Sequence, residues 1–192
     1  MKATPLKAGT IVGSIIVMLL CVSLWAQANE REGLSVYSAS TDIQDNMYYL
    51  DAQLEYELSE TALEALENGV ALTFEMEVEI YRPRKWWWGE TLTNIVQQYQ
   101  VVYHALTRQY IITNLNSGVQ NSYANRKTAL LTMGRIIDFP LVAHNEVPKD
   151  GQYRGRLRIA LLISELPAPM RPWAYISSSW RLKSEWFEWE IQ

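Results

Sequence analysis

The chain has 192 residues, with 17 basic and 21 acidic side chains and a formal net charge of −4. This acidic balance argues against nucleic-acid binding, because proteins that bind nucleic acids usually present a basic face. The single cysteine, Cys21, lies in an apolar N-terminal run, so the rest of the chain has no thiol for a disulfide, for catalysis or for metal binding.

The first 28 residues have the three parts of a secretory signal peptide. Two lysines precede an apolar run over residues 11–25, and the small-x-small triplet Ala26-Gln27-Ala28 follows it. The run is shorter than the roughly 20 apolar residues of a membrane-spanning helix. We therefore expect cleavage after the triplet and a periplasmic location for residues 29–192, with a retained membrane anchor as the alternative. The mature chain would keep 15 basic and 21 acidic residues, a net charge of −6.

The first elements of the mature chain are a predicted hairpin and a short helix. In residues 47–58 apolar side chains recur at every second position, which is typical of a half-buried strand. The turn pair Asp45-Asn46 before them predicts a hairpin with residues 34–44. Ser59 can cap a helix over residues 60–67, which Asn68-Gly69 would end.

The middle of the chain predicts three further strands and one helix. Alternating apolar residues over 74–80 indicate a strand, and residues 91–104 and 108–115 indicate a second hairpin rich in Val, Ile, Tyr and Thr. Apolar residues at helical spacing predict a helix from about residue 125 to 136, with Asn125 as its N-cap.

Residues 153–164 predict a long strand, and a proline-rich stretch separates it from a last strand region over residues 174–191. The apolar side of this last region changes midway. A β-bulge near Ser184 and Glu185 would restore a single apolar face. Without one, aromatic side chains would lie on both sides and could line a ligand cavity or a partner-binding edge.

These elements predict a mainly β fold: an antiparallel, β-sandwich-like domain of about seven strands with two short α-helices, preceded by the N-terminal signal helix. The predicted domain covers residues 29–192.

Two predicted strands carry alternating charges on one face. If these strands are neighbours, the charges form a cross-strand ion ladder in which each pair contributes roughly 0.2–1 kcal/mol. Alternatively, the basic row receives an anionic partner such as a phosphate or a carboxylate. We prefer the ladder, because surface charge rows are usually solvated faces. The two rows are Glu75, Glu77, Glu79 and Arg154, Arg156, Arg158.

The first candidate binding motif combines cations with three consecutive tryptophans. Successive side chains of a strand face opposite sides, so three tryptophans in a row cannot all be buried on one face. At least one must meet another element, a ligand, a partner or a membrane, whose interface tryptophan favours. The alternative is that they only pack over the end of the sheets. The motif consists of Arg82, Arg84, Lys85, Trp86, Trp87 and Trp88.

The second candidate is His104 with Arg108, a pair that could bind an anion or supply a general base. A lone histidine at a hairpin tip is also a common hydrogen-bonded turn residue. The chain has only one other histidine, His144, and lacks the His-Glu-x-x-His and Gly-x-Ser-x-Gly motifs of zinc proteases and serine hydrolases. We therefore expect no metal site, no cofactor and no enzymatic activity.

Five motifs follow one another in a recognisable order. They are Leu63-x-x-Leu66-x-x-Gly69-Val70-x-Leu72-x-Phe74, Glu79-x-x-Arg82-x-Arg84-x-Trp86-Trp87, Tyr103-His104-x-Leu106-Thr107-Arg108-x-Tyr110, Leu166-Pro167-x-Pro169 and Trp180-x-Leu182-x-Ser184-x-Trp186. This set resembles the proteobacterial exported proteins grouped as domain of unknown function 4390, and Trp88 is the departure from the pattern. The resemblance implies export in a Gram-negative bacterium and implies no activity. Members are often encoded near a membrane sensor kinase, which hints at a signalling partner.

The leading hypothesis is a non-enzymatic periplasmic module that binds a membrane or periplasmic protein, such as a sensor, through the cation–tryptophan motif. One alternative is a carrier that holds a lipid or other apolar small molecule between its sheets with the C-terminal aromatic residues. The other is an envelope enzyme that uses His104. No interaction with nucleic acid is expected.

Overall fold

The computed structural model describes residues 33–83, 90–149 and 151–191, and within these ranges the chain forms nine strands and three α-helices. The strands are β1 (Gly33–Gln44), β2 (Met47–Glu57), β3 (Leu72–Arg82), β4 (Glu90–His104), β5 (Gln109–Asn114), β6 (Gln120–Tyr123), β7 (Arg135–Ala143), β8 (Arg154–Leu161) and β9 (Phe187–Glu190). The helices are α1 (Glu60–Glu67), α2 (Arg126–Met133) and α3 (Arg171–Ile176).

The strands form two antiparallel sheets. The smaller sheet has the order β1-β2-β7, and the larger has the order β6-β5-β4-β3-β8-β9. Side chains of both sheets enter one hydrophobic core, with Leu50 and Leu54 from the smaller sheet and Phe74, Met76 and Leu157 from the larger. The mainly β, antiparallel prediction is confirmed. The prediction of about seven strands and two helices was too low, because the described residues form nine strands and three α-helices.

The first hairpin is confirmed, and its turn explains its sequence. Asp45 and Asn46 both have positive φ angles, of 47° and 64°, and Gln44 pairs with Met47 across the turn. A two-residue turn of this hand suits the twist of a hairpin, and Asp and Asn tolerate it better than most residues.

Two predicted N-caps also form as expected. The Ser59 hydroxyl accepts the backbone N–H of Ala62 at 3.2 Å, and the Asn125 side-chain oxygen accepts that of Thr128 at 2.8 Å. The second helix is shorter than predicted, because Gly134 lies against β2. A Cβ at this position would be 2.2 Å from the Leu54 carbonyl oxygen, so the chain leaves the helix where only glycine fits.

β7 was missed, because its apolar residues were assigned to the preceding helix. Ile136 is buried in this strand, whereas Ile137 is exposed. A bulge disrupts the alternation: Asp138 has a φ of +49° and its N–H is bonded to the Asp51 carboxylate at 2.9 Å. Pro140 is a second reason why the sequence did not predict this strand, since proline is rare within sheets.

The predicted strand over residues 174–191 was wrong over most of its length. α3 and a 3-10 turn at Ser178–Trp180 occupy its first part, and β9 has only four residues. The bulge, however, is confirmed. Lys183 lies opposite Ala160 and Phe187 opposite Leu157, so three residues of this segment face two of β8.

Ser184 fills the irregular step that the bulge creates. Its N–H is bonded to the Ile159 carbonyl at 2.9 Å, and its hydroxyl accepts the Ile159 N–H at 3.0 Å. Phe187 and Trp189 therefore take the side that faces Leu157 and Gly155. Trp186 is left on the side of the β8 arginines.

The described residues belong to one compact unit, Gly33–Gln192. Helices long and apolar enough to cross a bilayer do not occur in the described part of the chain. The predicted signal segment, residues 1–28, lies outside it and stays a prediction.

Candidate functional site

Only one residue of the cation–tryptophan motif is described. Arg82 ends β3, where it pairs in register with Glu90 of β4. The others, Arg84, Lys85, Trp86, Trp87 and Trp88, lie outside the described residues.

His104 is the exposed last residue of β4, and Arg108 lies in the turn between β4 and β5. The His104 Nδ1 atom is 3.4 Å from the Thr107 hydroxyl, and Arg108 has the positive φ of a turn residue, +54°. Arg82 pairs with the first residue of β4 and His104 is the last, so about 45 Å of extended strand separates Arg82 from His104. The structure does not bring these two residues into one site.

The ion ladder is confirmed between β3 and β8. Arg158 is opposite Glu77 and Arg156 is opposite Glu79, with each Nε bonded to a carboxylate oxygen at 2.7 Å. The register leaves the outer members of both rows, Glu75 and Arg154, out of the ladder. Arg154 faces Tyr81, and the Glu75 carboxylate accepts a hydrogen bond from Gln98 instead.

Trp186 covers the ladder arginines. Its ring lies 4.5 Å from the Arg156 guanidinium carbon and 4.2 Å from that of Arg158, and Arg156 also lies 4.8 Å from the Tyr81 ring. Burial raises the pKa of Tyr81, and a hydrogen bond with Glu188 raises it further. Carboxylates and aromatic rings thus already engage both arginines, so the ladder stabilises the sheet rather than receiving an anion.

A groove opens beside Arg154, at the end of the larger sheet where β3 ends. Its volume is about 510 Å³. A second depression of about 500 Å³, lined by Arg82 and Pro83, shares part of the same loop wall. We call the first cavity the end groove; its lining residues are Tyr48, His144, Val147, Pro148, Lys149, Gly151, Gln152, Tyr153, Arg154, Glu190 and Ile191.

His144 and Tyr48 form one wall of the end groove. The His144 Nδ1 atom is 3.1 Å from the Tyr48 hydroxyl, and the two rings lie 5.3 Å apart. The His144 N–H is also bonded to the Asn46 carbonyl at 2.8 Å, so backbone and ring are both fixed. Sequence reasoning missed this pair, because the contact depends on the pairing of β2 with the unpredicted β7.

Cations and apolar groups share the other walls. Arg154 is 3.7 Å from Glu190 and 3.9 Å from Glu188, which are long contacts between exposed side chains. Such a pair contributes little and can exchange its partner. Lys149 is exposed beside it. At Gly151 a Cβ would be 2.6 Å from the Arg82 Nε atom, so glycine lets this guanidinium lie directly against the loop.

The end groove can therefore bind a carboxylate or another anionic group beside an apolar contact with Val147 and Ile191. Among the described residues, no cluster of three or more His, Cys, Asp or Glu side chains is arranged to hold a metal ion.

Comparison with known proteins confirms the resemblance seen in the motifs. Residues 31–190 match the family described as Domain of unknown function (DUF4390). No curated protein and no solved structure matches the chain. The matched range contains both candidate motifs and all of the end-groove residues except Ile191. The chain belongs to the DUF4390 family.

Proposed function

We propose that the protein is an exported, β-sandwich-like binding module without catalytic activity, whose end groove receives an acidic segment of a membrane or periplasmic protein. The observation that carries the proposal is the combination of Lys149 and weakly held Arg154 with the fixed His144–Tyr48 pair in one open groove. Cations with loose partners can exchange them for the carboxylates of a binding segment.

The position of the cation–tryptophan motif in the sequence also points to this end of the molecule as the contact region. Arg82 and Pro83 line the depression that adjoins the end groove, and the motif continues directly from them in sequence. Tryptophan and arginine are the residue types that most often dominate the binding energy of protein interfaces.

The carrier hypothesis loses its original support. The C-terminal aromatic residues that were expected to hold an apolar ligand are packed instead. Trp180 is buried in the core, Trp186 covers the ladder arginines and Trp189 lies against Gly155. The end groove has both apolar and charged walls, which suit a peptide better than a lipid chain.

The enzyme hypothesis is also weaker than the binding hypothesis. His104 is the exposed last residue of β4, beside Thr107 and far along the strand from the end groove. In His144, one ring nitrogen contacts the Tyr48 hydroxyl. A binding role, unlike catalysis, needs only the hydrogen-bond donors that line the groove and the shape of the groove.

Site-specific photocrosslinking in a Gram-negative host tests the proposal. A photoreactive amino acid at Gln152, an exposed residue of the groove, should give a discrete crosslinked protein. The same probe at Asn121, exposed on β6, is the control position. Lys149→Glu should weaken the crosslink, whereas Lys127→Glu on α2 applies the same charge change elsewhere and should not.

Equal crosslinking from Gln152 and Asn121, or none from Gln152, would contradict the proposal. Partial digestion of the crosslinked partner should locate the contact in an acidic segment. The mass of the purified chain tests export separately, because cleavage after the small-x-small triplet predicts a mature chain that begins at Asn29.

A further inference from the structure

α3 exposes the large apolar side chains that an ordinary surface helix buries. Its one buried residue is the small Ala174, whereas its large apolar residues point outward: Trp173 is 71% exposed, Ile176 67% and Tyr175 58%. A helix that packs on a core normally buries its large apolar side chains. Three such residues on one six-residue element form an apolar surface that this fold leaves in water.

The chain around α3 also differs from the rest of the protein in charge. Residues 166–184 contain three basic side chains, Arg171, Arg181 and Lys183, and no acidic one, and the exposed Glu165 and Glu185 border this stretch. Arg181 and Lys183 are exposed. In a chain with more acidic than basic residues, this stretch has a local charge of +3.

The surrounding structure holds α3 in place. The Arg171 Nε atom donates to the Leu166 carbonyl at 2.6 Å, and Leu166 is fully buried. The helix packs against the 3-10 turns at Ile163–Glu165 and Ser178–Trp180, and Trp180 is buried behind it. The exposed residues are thus displayed on a fixed support, so little ordering is needed before they bind.

We propose that α3 is a lipid-docking surface, which binds an anionic membrane through Trp173, Tyr175 and Ile176 with Arg181 and Lys183 as flanking cations. Tryptophan and tyrosine are the side chains that concentrate at the membrane–water interface. Basic residues close to an anionic bilayer each strengthen binding by roughly fivefold. Charge complementarity argues against a second copy of this chain as the occupant, because two such segments would repel each other.

Vesicle cosedimentation tests this surface. The purified chain, with its N-terminus determined by mass, is mixed with vesicles of phosphatidylcholine alone or of phosphatidylcholine with phosphatidylglycerol. Binding should favour the phosphatidylglycerol vesicles and fall with added salt. The double variant Trp173→Ser/Ile176→Ser should bind at least about tenfold more weakly, since each large apolar side chain contributes more than a tenfold factor when buried.

Matched controls separate docking from general effects of the substitutions. Tyr37→Ser/Leu106→Ser removes two exposed apolar residues from β1 and the β4–β5 turn and should bind as the wild type does. Arg181→Gln/Lys183→Gln should lose about tenfold or more for the anionic vesicles only. All variants are compared by circular dichroism, and they should stay folded because the altered side chains are exposed.

Three results would overturn the proposal. One is no binding of the wild type to phosphatidylglycerol vesicles, and another is equal binding of the wild type and the Trp173→Ser/Ile176→Ser variant. The third is a dimer, lost in that variant, that forms without any vesicle binding. None of these results depends on what occupies the end groove.

Discussion

Arg156 offers the sharpest test of how the larger sheet is stabilised. Its guanidinium nitrogens contact the Glu79 carboxylate at 2.5 and 2.7 Å, and its guanidinium carbon lies 4.8 Å from the Tyr81 ring and 4.5 Å from the Trp186 ring. Glu79 is only 8% exposed. Arg156→Ala would therefore leave an almost buried carboxylate without its cation and remove the group that both rings cover.

The expected cost follows from these contacts. Removing one partner of a fully buried ion pair typically costs about 3–5 kcal/mol. The Arg156 side chain is 30% exposed, so water can partly replace it and the cost falls to about 2 kcal/mol. Lost contacts with the two rings add roughly 0.5–1 kcal/mol. We expect a loss of about 2–3 kcal/mol, a large part of the stability of an ordinary domain.

Arg154→Ala is the matched control on the same strand. This arginine is 44% exposed and its carboxylate neighbours are 3.7 and 3.9 Å away, so its loss should cost about 1 kcal/mol or less. Urea unfolding at neutral pH measures both variants. Glu79→Gln added to Arg156→Ala should recover part of the loss, because it removes the unpaired charge. The reasoning is wrong if Arg156→Ala costs no more than Arg154→Ala, or if Glu79→Gln brings no recovery.

Two further predictions concern stability. Gly155→Ala would place a Cβ 2.3 Å from the Trp189 ring and should destabilise the fold by about 1–3 kcal/mol in urea unfolding; adding Trp189→Leu should relieve part of that loss, and strictly additive effects would contradict the clash. Burial, with a smaller contribution from Tyr99, raises the pKa of Tyr56 above its ordinary value of 10.0. The unfolded chain therefore releases this proton above about pH 10 while the folded chain keeps it, so the free energy of unfolding falls as the pH rises. In urea unfolding at alkaline pH, Tyr56→Phe should reduce the slope of the free energy of unfolding against pH by up to about 1.4 kcal/mol per pH unit. An unchanged slope would contradict the attribution of this pH dependence to Tyr56.

Local patterns were enough to predict the elements that have one buried face. In β2 buried and less buried positions alternate throughout, and in β3 apolar and polar residues alternate from Leu72 to Ile80. The turn at Asp45 and Asn46 and the caps Ser59 and Asn125 were also predictable, since a turn or a cap depends on a few neighbouring residues. The ladder needed one further assumption, that β3 and β8 are neighbours.

The remaining features depend on contacts between distant parts of the chain. The β7 bulge at Asp138 is stabilised by Asp51, 87 residues earlier, so no nearby pattern indicates it. The same long-range pairing brings His144 to Tyr48 and builds a wall of the end groove. His104 attracted attention because histidine is rare in this sequence, whereas its position at the end of β4 is decided by the β4–β5 pairing.

The contact between Trp189 and Thr41 has a consequence for the order of folding during synthesis. The indole N–H of Trp189 is bonded to the Thr41 hydroxyl at 3.3 Å, across 148 residues of sequence. The N-terminal strands therefore leave the ribosome long before Trp189, which connects β9 to β1, has been synthesised. Distant contacts of this kind also form slowly, because a large loop must close first. The native fold is therefore complete only after β9 has been synthesised.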